Sequence, residues 1–252
     1  MFVIPMAGMS SRFLRAGYTE PKYMLPAFGQ SLFAHAVGSF ARYFRTGQFL
    51  FITLRQFAAA DFVRAECARL GLARFDVVTL DTLTRGQADT VFQGLAAAGV
   101  GREPLTIFNI DTAEVDFTHP PFVGECDGYL DVFLAPGDHW SFVAPVPGSD
   151  SRVAATAEKQ RISALASTGL YHFASADDFR AACLAGASGD PSAAGPGELF
   201  VAPLYNHLIG LGRDIRFRLV DGDRVVLFGT PDEYLRLLAR PASPFVAPGG
   251  TA

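Results

Sequence analysis

Met1-Phe-Val-Ile-Pro-Met-Ala-Gly-Met-Ser-Ser-Arg12 opens the chain, and Gly17-Tyr-Thr-Glu-Pro-Lys22 follows closely. Its first residues form a short apolar run that reads as a buried strand. The run opens into a Gly/Ser loop flanked by one arginine and one lysine. Backbone N–H groups of such a loop can approach phosphates, and fixed cations can offset their charge, so the segment suits a triphosphate.

Strand-like and helix-like runs alternate outward from that segment. Phe2 to Pro5 reads as a strand, Ser31 to Tyr43 as a helix with one apolar face, and Phe49 to Leu54 as a strand. Ala59 to Leu70 then reads as a helix, Asp76 to Leu80 as a strand, Gln87 to Ala98 as a helix, and Leu105 to Ile110 as a strand. This βαβ rhythm predicts an α/β fold with a Rossmann-like, mostly parallel sheet flanked by helices. Ligands of such sheets bind beyond the carboxyl ends of strands, so the Pro5 to Arg12 loop and the Asn109 to Thr112 segment are expected to share one crevice.

From Tyr129 the pattern changes to shorter pieces, Leu130 to Leu134, Ser141 to Pro145 and Gly169 to Phe173, which predict a smaller, mixed substrate-binding half. We read residues 1–240 as a single domain, with 1–128 and 129–240 as its two halves. Gly186 to Gly197, rich in Gly, Ala, Ser and Pro, reads as a mobile loop, and 241–252 as a flexible tail.

The 252 residues, 50% of them hydrophobic, suit one large domain with a sizeable core. Lys+Arg number 21 against 25 Asp+Glu, a net charge of −4. No basic excess points to nucleic acid or an anionic membrane, so a substrate anion has to be met by local cations. Cys67, Cys126 and Cys183 lie far apart without C-x-x-C spacing and read as core thiols of a reducing compartment. No run reaches the ~18 apolar residues of a membrane span, and no signal-like segment is present, which predicts a cytoplasmic protein. His35, His119, His172 and His207 form no metal-ligand spacing.

The opening segment resembles the signature loop of the sugar-1-phosphate nucleotidylyltransferases, the pyrophosphorylase-type enzymes, whose pattern is roughly Gly-x-Gly-Ser/Thr-x-Arg followed by Pro-Lys. Here the loop reads Ala7-Gly8-Met9-Ser10-Ser11-Arg12, then Pro21-Lys22, with Ser10 where a second glycine is usual. The resemblance covers about residues 1–238 and extends to short members of capsule and surface-polysaccharide pathways. It implies a GT-A-like nucleotidyltransferase fold and a Mg²⁺-dependent reaction. An NTP and a phosphorylated small molecule, a sugar 1-phosphate foremost, would give an NDP-linked product and pyrophosphate. By resemblance Ala7 to Ser11 bind the nucleotide, Arg12 contacts the leaving pyrophosphate, and Lys22 bridges toward the reacting phosphate. Taken alone, both cations read as solvated loop residues.

Further segments carry the resemblance. Leu83-Thr-Arg-Gly-Gln-Ala-Asp-Thr90 is similar to the base-recognition segment, where Gly86 would admit the base edge and Arg85 or Gln87 would add hydrogen bonds. Asp81 stands where several members have a base-reading glutamine. A carboxylate only accepts hydrogen bonds, which favours a pyrimidine; a strand-end aspartate facing water is the bland alternative. Ala157-Glu158-Lys159 and Ala166-Ser-Thr-Gly-Leu-Tyr171 resemble the acceptor-binding elements, with Glu158 on sugar hydroxyls, Lys159 on the acceptor phosphate and Thr168 beside them. Adjacent strand residues point to opposite faces, so Glu158 and Lys159 serve one ligand only where the backbone bends. Trp140 in the same half suits stacking on a sugar or rim packing.

Asn109-Ile110-Asp111 follows an apolar strand, and a carboxylate there can hold Mg²⁺ against phosphate oxygens or simply cap a turn. Asp111 matches the family's first metal aspartate. The second is usual two residues before the glycine of Gly229-Thr-Pro, and that position is Leu227. Leucine cannot bind a metal, which leaves Asp221, Asp223 or Asp232 as substitutes, or Asp111 with phosphates alone. Thr230 and Pro231 also read as N-cap and N1 of a helix over Glu233 to Leu238. Two rival classes fit part of this pattern: a glycosyltransferase using an NDP-sugar, and a non-catalytic nucleotide or sugar-nucleotide-binding regulator. Homo-oligomer formation is left open by the motifs.

Overall fold

In the computed structural model, residues 1–188 and 197–245 are described. The strands are β1 (Phe2–Pro5), β2 (Pro26–Ala27), β3 (Gln30–Ser31), β4 (Phe49–Leu54), β5 (Phe75–Leu80), β6 (Leu105–Phe108), β7 (Thr112–Glu114), β8 (Gly128–Leu134), β9 (Ser141–Pro145), β10 (Val153–Glu158), β11 (Leu165–Phe173), β12 (Ile215–Leu219) and β13 (Val225–Leu227). The α-helices are α1 (Ser11–Arg15), α2 (Leu32–Gly38), α3 (Ala60–Leu70), α4 (Gln87–Ala97), α5 (Ala176–Ala187), α6 (Leu204–Gly210) and α7 (Pro231–Leu238).

β5, β4, β1 and β6 lie side by side and run parallel. β11 joins β6 antiparallel, β8 joins β11 antiparallel, and β12 lies parallel beyond β8. The β9–β10 hairpin attaches to the start of β11 through Ala166 and Phe142. The result is one nine-stranded α/β sheet, parallel in its first half and mixed in its second.

Successive side chains of a strand face opposite ways, so β1 sends Phe2 and Ile4 to one layer and Val3 to the other. The first layer is aromatic: Phe2 stacks on Phe49 with centroids 4.9 Å apart, and Phe40 meets Phe108 edge-on at 5.1 Å. Helices α2, α3 and α7 cover it with Phe33, Val63 and Leu237. The second layer is aliphatic, with Val3, Ile52 and Ile107 against Ala88, Val91 and Leu95 of α4. A Cβ on Gly94 would overlap the Ile52 side chain, so this glycine lets α4 sit close on the sheet.

The structure departs from the expected elements at several points. The helix expected over Ser31 to Tyr43 divides into α2 and a 3₁₀ turn at Ala41–Tyr43. At the break Ser39 Oγ accepts the Glu114 N–H at 2.9 Å, which ties α2 to β7. β6 ends at Phe108, two residues before the expected Ile110, although the Asn109 N–H still donates to the Gly169 carbonyl of β11 at 3.1 Å. Of the loop expected over Gly186 to Gly197, Gly186 and Ala187 belong to α5, and 189–196 lie outside the described residues. The tail expectation is corrected at its start: Phe245 stacks on His35 with centroids 3.7 Å apart and also meets Phe28 and Phe228. Residues 246–252 lie outside the described residues. Among the described residues no helix is long and apolar enough to cross a membrane.

Candidate active site at the sheet switch point

The chain moves from β1 outward to β4 and β5, then returns to β6 on the other side of β1. Loops leaving β1 and β6 therefore diverge, and a crevice opens beyond their carboxyl ends. A second opening adjoins it, because β11 pairs with β6 at Leu170 to Phe173 but with β9 at Ala166. Ser167, Thr168 and Gly169 sit at that divergence, and one cavity of about 680 Å³ spans both openings.

The loop after β1 is anchored at its start and open at its middle. Met6 donates its N–H to the Ile52 carbonyl at 2.8 Å, and Met6 and Ala7 are buried. Gly8 is exposed, and nothing lies within 4 Å of where its Cβ would stand. Ser10 has φ 50° and ψ 31°, the left-handed region that favours glycine, which accounts physically for the usual glycine there. Its carbonyl accepts the Phe13 and Leu14 N–H groups and so starts α1. Phe13 is fully buried against Tyr18 and Tyr234, which fixes the loop from below. Met9, Ser11 and Arg12 line the cavity, and the Arg12 guanidinium has no ion-pair or hydrogen-bond partner among the described residues.

Lys22 and Asp111 meet: Nζ donates to Oδ2 at 2.6 Å, both side chains part-buried. Behind them β13 pairs with β7, setting Leu227 opposite Thr112, and the Phe228 N–H donates to the Asp111 carbonyl at 3.1 Å. This pairing brings Gly229 against the site. A Cβ built on Gly229 would stand 2.9 Å from Asp111 Oδ2 and 3.5 Å from Glu233 Oε2, so the missing side chain leaves a cradle between two carboxylates. Among the described residues no group of three or more His, Cys, Asp or Glu could hold a metal. Mg²⁺ takes one or two carboxylates plus waters and substrate phosphates, so this oxygen-lined cradle fits it. Leu227 lines the cavity, whereas Asp221, Asp223 and Asp232 do not.

The base segment differs from expectation. Gly86 has φ 125°, and a Cβ there would stand 2.6 Å from the Leu199 carbonyl oxygen. Its close approach is therefore to the chain itself: Leu199 donates to the Arg85 carbonyl at 2.6 Å, and Ala88 donates to the Leu199 carbonyl at 3.0 Å. Gly86, Arg85 and Gln87 all line the cavity, with Gln87 Nε2 donating to Asn109 Oδ1. Asp81 does not line it. It follows β5, the edge strand two places from β1, and there it is largely exposed and pairs with Arg55 at 2.5 Å. Leu83 and Thr84, just beyond it, do line the cavity, so the pyrimidine argument drawn from Asp81 has no contact in the cavity wall to support it.

In the second half Glu158 lines the cavity and accepts a hydrogen bond from Ser141 Oγ; burial raises its pKa above the ordinary carboxylate value. Lys159 has φ 53°, so the backbone does bend between the two. Its ammonium lies 4.3 Å over the Phe200 ring and 3.8 Å from Glu158, half-exposed and outside the cavity wall. That position departs from the expected phosphate contact. Trp140 lines the cavity, held by its indole N–H on the Pro136 carbonyl at 3.0 Å and by Phe133. Thr168 is 2% exposed and lines the cavity, and its Oγ1 has no partner among the described residues. Sequence reasoning missed Glu233 and Glu198, which also line the wall.

An α/β sheet with a phosphate-ready loop, a lysine–carboxylate pair across the switch point and a polar second opening has the architecture of a nucleotidyltransferase. No protein-family model and no curated protein matches the chain. Among solved structures, the nucleoside-diphosphate-sugar pyrophosphorylase from Vibrio cholerae RC9 matches with TM-score 0.91 and 47% identity, over 95% of this chain and 100% of its own. The inositol-1-phosphate CTP transferase from T. maritima shares the fold with TM-score 0.72 and 14% identity, over 92% of this chain and 90% of its own. A UDP-glucose pyrophosphorylase complexed with UDP-glucose does so with TM-score 0.73 and 17% identity, over 93% and 95%. The chain belongs to the nucleoside-diphosphate-sugar pyrophosphorylase family of sugar-phosphate nucleotidyltransferases.

Proposed function

We propose that this enzyme joins an NTP to a sugar 1-phosphate and releases pyrophosphate, with residues 1–128 binding the nucleotide and 129–240 the acceptor. The observation that carries the reading is the 2.6 Å contact of Lys22 with Asp111, in one cavity with the Ala7 to Arg12 loop. An oxygen of the acceptor phosphate attacks the α-phosphorus in line, a new P–O bond forms, and the bond to the β-phosphate oxygen breaks. No covalent intermediate is needed, so catalysis is positioning plus charge neutralisation.

Ala7 to Ser11 lay backbone N–H groups along the triphosphate, and the unpartnered Arg12 takes the negative charge of the departing pyrophosphate. Lys22, already held at the switch point, neutralises charge on the reacting phosphate. Asp111 would hold Mg²⁺, which would supply positive charge against the charge developing on the phosphates. Glu158 accepts hydrogen bonds from sugar hydroxyls, Thr168 Oγ1 gains the partner it lacks, and Trp140 covers the ring. Lys159 serves the acceptor phosphate from the rim after a side-chain swing. The reading places the product among cytoplasmic precursors of surface polysaccharides, in line with the resemblance of the loop and Gly229-Thr-Pro elements.

Pyrophosphate release tests it, with Mg²⁺, each of UTP, CTP, dTTP, ATP and GTP, and a panel of sugar 1-phosphates. Release that requires one NTP and one sugar 1-phosphate is the expected result. NTP binding without release against every acceptor would overturn the reading.

A further inference from the structure

We infer that Glu233 supplies the second carboxylate of the divalent-cation site, in place of the aspartate whose usual position is Leu227; the inference rests on the nucleotidyl-transfer reading above. Leu227 borders the cavity with no donor atom. The acidic candidates nearest in sequence are used or placed elsewhere. Asp221 accepts the Asp223 N–H at 3.0 Å in its own turn, and neither these two nor Asp232 reaches the wall. Glu158 is engaged by Ser141 and Lys159 in the second half.

Glu233 faces the right place. The point where a Gly229 Cβ would stand is 3.5 Å from Glu233 Oε2 and 2.9 Å from Asp111 Oδ2, so the two carboxylates flank one space. Gly229 has no positive φ, so its backbone does not require glycine; space does. Glu233 is also held in position. Its Oε2 accepts the Thr230 N–H at 2.9 Å while Thr230 Oγ1 accepts the Glu233 N–H at 3.2 Å, a capping box at the start of α7. A carboxylate has about four acceptor sites, so one such bond leaves capacity for a cation or for a water bound to it. Of the two carboxylates only Asp111 has an ion-pair partner, Lys22; Glu233 has none among the described residues, which leaves negative charge for a cation to offset.

Mn²⁺ titrated alone into the whole chain, with free ion read by electron paramagnetic resonance, tests this. The wild-type chain is expected to bind one ion, and Glu233→Gln to bind it at least about 10-fold more weakly, since losing even an outer partner of a metal ligand costs about 10- to 100-fold. Glutamine also completes a capping box, so the melting temperature should not move. Adding Leu227→Asp to Glu233→Gln is expected to restore binding. Unchanged affinity in Glu233→Gln, with binding lost in Asp111→Asn, would overturn the role of Glu233 and leave the Asp111 reading intact. Wild-type affinity in both single variants, or no binding by the wild type, would overturn the cation site itself. Failure of Leu227→Asp to restore binding in a normally folded chain would overturn the exchange of positions. The pyrophosphate-release panel reports on nucleotidyl transfer independently of all these outcomes.

Discussion

Lys22 Nζ lies 2.6 Å from Asp111 Oδ2, a contact that closes 89 residues of chain and joins the turn beyond α1 to the segment between β6 and β7. The side chains keep 18% and 27% exposure, so the pair is solvated enough to contribute little to folding. It holds an ammonium where a phosphate would arrive, and it occupies the carboxylate oxygen that faces the Gly229 cradle. Lys22→Met is therefore expected to lower kcat/KM by about 100-fold or more while leaving the melting temperature nearly unchanged. The same variant should bind Mn²⁺ more tightly than wild type, because Asp111 loses its internal counter-ion. Unaltered Mn²⁺ affinity would mean that the ammonium and the cation do not compete.

Two glycines of the nucleotide half should respond in opposite ways. A Cβ on Gly8 meets nothing within 4 Å and its φ lies outside the left-handed region, so Gly8→Ala should melt within about 2 °C of wild type. Its methyl group would stand where a phosphate approaches, and KM for the NTP is expected to rise about tenfold. Gly86→Ala is strained at φ 125° and collides with the Leu199 carbonyl, so it should lose about 2 kcal/mol or more in urea unfolding. A destabilised Gly8→Ala chain would show that its glycine serves folding instead.

The fold was legible because its central strands are covered on both faces: Phe-Leu-Phe-Ile-Thr-Leu of β4 is buried throughout and needs no alternation to be recognised. The meeting of loop and carboxylate was legible for the same reason, since both follow strands beside the switch point. β10 escaped notice because Val-Ala-Ala-Thr-Ala-Glu carries few residues of strong strand preference. Glu233 escaped because its local role as a capping-box residue is complete, while its proximity to Asp111 depends on β13 pairing with β7 across more than 100 residues. That Asp81 stands outside the cavity wall while Leu83 stands in it was not legible, because an offset from Gly86 says nothing of which way the chain turns after β5.

That placement makes base selection a test of two residues. Asp81→Ala removes only an exposed contact with Arg55, so the ranking of NTPs by kcat/KM should stay as in wild type. Gln87 lines the cavity and hydrogen-bonds Asn109, so Gln87→Ala is expected to change the ratio between the preferred NTP and the next by about tenfold. A changed ranking in Asp81→Ala would return that residue to the base site through movement of β5.

Away from the cavity, Arg218 bridges two fully buried carboxylates, donating to Glu114 Oε1 at 2.6 Å and to Asp131 Oδ1 at 2.8 Å. One guanidinium cannot neutralise both, and burial together with the Asp131 charge pushes Glu114 up to about 8 from an ordinary 4.5. Between those values the native state keeps a proton that the unfolded chain releases, so this group's contribution to stability is present at low pH and lost as pH rises through about 8. His119 and His172, pushed down to about 4 and 3 by burial, act the other way but only below 6.5, where the unfolded chain takes protons the native state refuses. The Met1 ammonium, lowered by burial from 8.0, opposes the Glu114 slope in the upper range. The informative quantity is therefore the difference between wild type and Glu114→Gln, which keeps the acceptor for Arg218. From pH 6.5 to 8.5 the wild-type urea midpoint should fall relative to that of the variant. Parallel midpoints across that range would show that Glu114 is ionised in the native state throughout.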